Sequence, residues 1–95
     1  MMCGGFGQVK NPDDNVNTIC AEVKPLVEAN LNATYTTFEP VGYKTQVVAG
    51  TNYLIKVKVD NEDYLHIKVH KPLPCNGNEL QLMSAEGGQS LEAAL

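Results

Sequence analysis

Between Tyr53 and His70 the chain alternates apolar and polar residues in two successive runs. Tyr53, Ile55, Val57 and Val59 interleave with Leu54, Lys56, Lys58 and Asp60; Leu65, Ile67 and Val69 interleave with Tyr64, His66, Lys68 and His70. A period of two places each apolar set on one side of an extended strand. Asp60-Asn61-Glu62-Asp63 is a polar turn between the runs, so they read as an antiparallel hairpin with one apolar face. That face needs a cover, and the requirement constrains the remainder of the chain.

The cover lies upstream. Val16, Ile19, Cys20, Val23, Val27 and Leu31 recur at steps of three and four, the stripe of an amphipathic helix. Asp13 or Asp14 supplies a side-chain cap, with acid near the positive end of the helix dipole. Pro25 removes one hydrogen bond at a cost of about 3 kcal/mol in a helix interior. Because the stripe keeps its phase on both sides of Pro25, the spacing predicts one kinked helix over about 13–30. Breaks around Gln46 to Gly50 and Pro72 to Asn78 mark further connections, and Leu80 and Leu82 start a last short strand. One helix followed by four consecutive strands is an α+β fold, an antiparallel β-sheet meander wrapped around one N-terminal α-helix. A single domain over 1–95 is expected, with the Gly-rich stretch 1–12 as a flexible arm and 84–95 as a tail.

Charge and cysteine usage narrow the function. Lys and Arg number 7 against 11 Asp and Glu, a net charge of −4. With no basic cluster to release phosphate counterions, no nucleic-acid partner is expected, and no anionic membrane. The segment Met1 to Gly7 lacks the basic and apolar regions of a signal peptide, and no run is long enough to span a bilayer. Three cysteines, Cys3, Cys20 and Cys75, cannot all pair internally, which fits a reduced, cytoplasmic protein. Asn32-Ala33-Thr34 spells a glycosylation acceptor that would stay bare there.

No catalytic residue, metal or cofactor is expected. Cys20 falls in the helix stripe and reads as a small core hydrophobe, Cys3 lies on the arm, and Cys75 lies in a turn near His70. His66 and His70 share one strand face, where they offer only two nitrogen ligands and read as solvent-facing. Phosphate loops and nucleophile elbows are absent from the sequence. What remains is a pair of apolar connections. Gln46-Val47-Val48-Ala49-Gly50 puts small apolar residues where turn chemistry calls for Asn, Asp or Ser. Either they continue the strands, or they protrude as a wedge for a partner's cleft. Leu73-Pro74 is either an ordinary Pro-bounded turn or a second stiffened contact.

At these residues the sequence resembles the stefins, the disulfide-free type 1 cystatins that inhibit papain-like cysteine peptidases. Gln46 to Gly50 matches the family's QxVxG signature within Tyr43-Lys44-Thr45 to Gly50-Thr51-Asn52-Tyr53. Gly4 matches the N-terminal glycine, Val23-Lys24-Pro25 a Pro-containing helix, and Leu73-Pro74 the second loop, over roughly residues 1 to 83. The resemblance implies a cystatin-like fold and a non-enzymatic, reversible, tight-binding competitive inhibitor of cathepsin-type peptidases. Its peptidase-binding residues would be Gly4, Gly5, Gln46, Val47, Val48, Ala49, Gly50, Leu73 and Pro74. The arm would lie along the non-primed subsites, the first hairpin beside the catalytic thiolate, and the second loop on the primed side. A monomer is expected. The alternatives are a cystatin-fold interaction module or a domain-swapped oligomer without inhibition, the swap following from the family resemblance. A thiol enzyme using Cys75 with His70 is the remaining rival.

Overall fold

In the computed structural model, residues 7–73, 79–93 and 95 are described, with the side chain of Asn61 left aside. Helix α1 spans Asp14–Leu31, and the strands are β1 (Phe38–Val48), β2 (Gly50–Val59), β3 (Tyr64–Lys71) and β4 (Gln81–Gln89). They form one antiparallel sheet in the order β1-β2-β3-β4, the meander that the alternating runs require. A short 3-10 turn, Asp60–Glu62, joins β2 to β3.

The helix starts where its cap allows. Asp13 is extended, and its Oδ1 accepts from the Val16 amide at 2.9 Å, satisfying one of the donors a helix start leaves open. At the other end Asn32 adopts the left-handed conformation at φ 53°, which Asn tolerates better than most residues, and the Ala33 amide reaches back to the Glu28 carbonyl. The helix runs unbroken through Pro25. Pro25 and Ala21, whose carbonyl the missing N–H would have met, are both exposed, so water can take the vacant acceptor.

The core is the stripe against the sheet. Val16, Ile19, Cys20, Val23 and Val27 of α1 are buried on Ile55, Val57 and Val59 of β2 and Leu65, Ile67 and Val69 of β3, with Tyr43 and Tyr53 closing one end. Each fully buried Val, Leu or Ile side chain contributes about 1.5–3 kcal/mol over its exposed state, which is why two phased apolar sets suffice to place helix on sheet.

Two segments depart from expectation. Part of the presumed arm is fixed: Lys10 pairs with Tyr43, and the Gly7 amide donates to the Thr45 carbonyl at 3.0 Å, so residues 7–10 run antiparallel along the outer edge of β1. The presumed tail begins as strand. β4 continues to Gln89 with Ala85 packed on the core and Gly87 close against Leu65, and it carries register shifts between Tyr64/His66 and Lys68/Val69. Beyond β4 the chain folds back over the sheet face opposite the helix. There the Lys56 ammonium donates to the carbonyls of Leu91 and Ala93, Lys56 is only 8% exposed, and Lys44 Nζ meets Leu95 O at 2.7 Å.

Candidate functional site

The β1–β2 hairpin turns on a single residue. Val48 pairs with Gly50, Ala49 stands between them, and the ladder therefore runs to the very tip. The two local readings of these residues are compatible, because Val47 and Val48 continue β1 and still protrude, 74% and 42% exposed. Ala49 is exposed as well. Gly50 sits at φ +109°, a conformation that side chains with a Cβ rarely adopt. It is also buried: a Cβ there would collide with the Lys71 carbonyl and lie 3.0 Å from Pro72 Cα and 3.2 Å from His70 Cε1. The close backbone approach that this glycine permits is thus internal, between the first hairpin and the end of β3.

That approach gathers the apolar points at one end of the sheet. Leu73, two residues past β3, is 42% exposed beside the same edge. The 7–10 segment runs antiparallel to β1, so its lower-numbered side faces that end too. The structure therefore brings Gln46, Val47, Val48, Ala49, Gly50 and Leu73 together. Gly4, Gly5 and Pro74 lie outside the described residues, as do Cys3 and Cys75.

Behind the tip, on the sheet face away from α1, a row of polar side chains crosses three strands. Gln46 of β1 stands opposite Asn52 of β2, which stands opposite His70 of β3. Asn52 Nδ2 donates to Gln46 Oε1 at 2.9 Å. Its Oδ1, 2.7 Å from His70 Nδ1, is left to accept from that ring nitrogen. His70 is therefore not the idle surface histidine the strand pattern suggested. In the sequence Asn52 stands out only as part of the stretch around the signature, although counting outward from Ala49 puts it opposite Gln46.

On the helix side the tip is anchored through two tyrosines. Tyr43 Oη donates to Asp13 Oδ2 at 3.1 Å, and Asn15 Nδ2 donates to Tyr53 Oη at 2.9 Å; the rings lie 6.3 Å apart. The Val16 amide, with help from Tyr43, holds the Asp13 carboxyl below the usual range, while burial and then Asp13 push the Tyr43 hydroxyl up. Burial pushes the Cys20 thiol to about 12, which makes it a poor nucleophile. His66 Nε2 is buried without a partner among the described residues, and burial, followed by Lys56, lowers its pKa against the opposing pull of Glu86. Among the described residues no three His, Cys, Asp or Glu side chains group as a metal site.

The sequence that builds this edge is similar to proteins of known type. The family model for the cystatin domain matches residues 4–90. Cystatin-A of Felis catus is 47% identical over 90 residues, covering 95% of this chain and 92% of its own. Cystatin-B of Oplegnathus fasciatus is 39% identical over 92 residues, 97% of this chain and 92% of its own. Leukocyte cysteine proteinase inhibitor 1 of Sus scrofa is 41% identical over 83 residues, 87% and 81% respectively.

Proposed function

This chain belongs to the cystatin family, and from that premise we propose that it is a reversible, tight-binding competitive inhibitor of papain-like cysteine peptidases that performs no chemistry itself. The observation that carries the reading is the exposed Val47-Val48-Ala49 tip on a hairpin with no slack. A peptidase cleft would strip water from these side chains. Burying a valine is worth about 1.5–3 kcal/mol, and a tip already held in its ladder loses little entropy on docking. The chain reverses at Ala49, so it enters the cleft as a bent edge, without an extended peptide bond laid across the thiolate. Occlusion without cleavage follows from that shape.

Leu73 and Pro74 add a second contact on the primed side in this reading, and Gly4 and Gly5 a third on the non-primed side. Covalent geometry keeps Gly4 within about 11 Å of Gly7, close enough for the arm to reach a groove that holds the tip. A total interface of about 1,600 Å² would be of ordinary size for a specific complex, with a few apolar anchors carrying most of the affinity. Cathepsin-type enzymes are the proposed targets and a monomer the active form. The cytosol is the proposed location, a reducing compartment that suits the buried, unpaired Cys20.

Charge at the tip tests the reading. Val48→Asp would place an unpaired carboxylate in a dry cleft and should raise the inhibition constant for papain by about a hundredfold or more. Its thermal midpoint should stay near the parent's, because Val48 is largely outside the core. Unchanged inhibition by Val48→Asp would remove the first hairpin from the binding edge.

A further inference from the structure

We propose that Asn52 and His70 are positioning residues for the inhibitory edge: the Gln46–Asn52–His70 row locks the first hairpin to the end of β3, so the Val47–Ala49 tip and Leu73 meet a cleft as one preformed unit. The inference rests on the inhibitor reading and extends it to residues that touch no peptidase.

The physical need comes from twist. A two-stranded ribbon twists more freely than a wider sheet, and the Val48–Ala49–Gly50 turn projects just past the last β2–β3 pair, Thr51 with Lys71. Main-chain bonds join β1 to β2 and β2 to β3 but not β1 to β3, so rotation of the outer strands about the middle one is restrained only through it. A side-chain chain that crosses all three strands at one level resists that rotation. Gln46, Asn52 and His70 occupy that level, two residues behind Val48 and two ahead of Gly50, with bonds of 2.9 and 2.7 Å. Asn52 suits the middle place because its amide donates to one neighbour and accepts from the other. Gly50 completes the device, since the space its missing Cβ leaves lies beside His70 Cε1 and the Lys71 and Pro72 backbone. All three row residues are half-buried, which strengthens their bonds without leaving a sealed orphan when one is removed.

A preformed edge should act on dissociation, because loosened loops must be ordered again within the complex. The test uses the full chain and papain, with release followed by recovery of fluorogenic-substrate hydrolysis. Asn52→Leu and His70→Leu should each leave papain about tenfold faster than the parent, and the double variant should be no faster than either single one. His70→Asn, which retains a donor near the Nδ1 position, should return to within about threefold of the parent, a rescue that generic destabilisation would not give. Nitrogen NMR of the free parent should show His70 Nδ1 protonated and bonded, with that signature lost in Asn52→Leu. Thermal midpoints confirm that each variant is folded. Leucine variants that leave at the parent's rate, or a His70→Asn as fast as His70→Leu, would overturn the proposal while the inhibitor reading stands. A parent that leaves papain fully active would overturn that reading, and with it any role of the row in inhibition.

Discussion

Asp13 uses one carboxylate twice, capping α1 through Oδ1 and holding the Tyr43 hydroxyl through Oδ2. Asp60 does the same for the chain entering β1: its oxygens accept from the Thr36 and Thr37 amides at 2.9 and 2.6 Å. These amide bonds favour the charged carboxylates, so both pKa values lie below the ordinary range. A lowered folded-state pKa means that the unfolded chain binds protons first on acidification. The stabilisation is therefore complete at neutral pH and is lost as pH falls through about 4 and below. The urea midpoint should be flat near neutrality and drop in that acid window, and Asp60→Asn should make the drop shallower. An acid limb unchanged in Asp60→Asn would exclude this carboxylate as a source. Cys20 supplies a prediction of the opposite kind. With its thiol pushed up to about 12, it should resist a thiol-specific reagent at pH 7–8 in the folded protein and react promptly in denaturant.

Elements differ in how much of them the sequence disclosed. α1, β2 and β3 were legible because each buries one face and each keeps its own period without interruption: the predicted helix over about 13–30 is Asp14–Leu31, Pro25 included. Of β4 only the start was legible, at Leu80 and Leu82, because Ser84, Glu86, Gly87 and Gly88 break the alternation and register shifts with β3 decouple facing from spacing. The fixed 7–10 segment was equally hidden, since its bonds are main-chain bonds to Thr45 and Tyr43 that Gly7 and Lys10 do not advertise. At the tip, Gln46 to Gly50 were visible as misplaced apolar turn residues, but the role of Gly50 depends on Lys71, far away in sequence. Gly50→Ala should therefore do more than strain a turn. It should cost about 1–3 kcal/mol in stability from the positive φ alone, and displacing β3 should also weaken papain inhibition. Lys56 gives the matching test away from the tip, on the sheet face that α1 leaves uncovered. Removing its contacts to the Leu91 and Ala93 carbonyls in Lys56→Ala should lower stability by about 1–3 kcal/mol in urea unfolding, with inhibition retained because the tip is elsewhere.

At the scale of the whole molecule the proposed function makes the fold a handle with one working end. Its extents of 39 × 27 × 22 Å describe an elongated body, and the exposed Val47, Val48 and Leu73 gather at one end of the sheet. The helix–sheet core supplies rigidity, the two tyrosine bonds to Asp13 and Asn15 tie that end to the helix, and the polar row ties the first hairpin to the end of β3. With a net charge of −4 and no basic cluster in the sequence, the proposed function relies on shape and apolar contact rather than electrostatic steering for recognition. The most direct test of that account is a titration of active papain with the monomeric protein under reducing conditions, at enzyme concentrations well above the expected dissociation constant. Activity should fall linearly to zero near about one equivalent of inhibitor, the mark of tight one-to-one occlusion. Papain that keeps its full activity beyond several equivalents of folded monomer would contradict it.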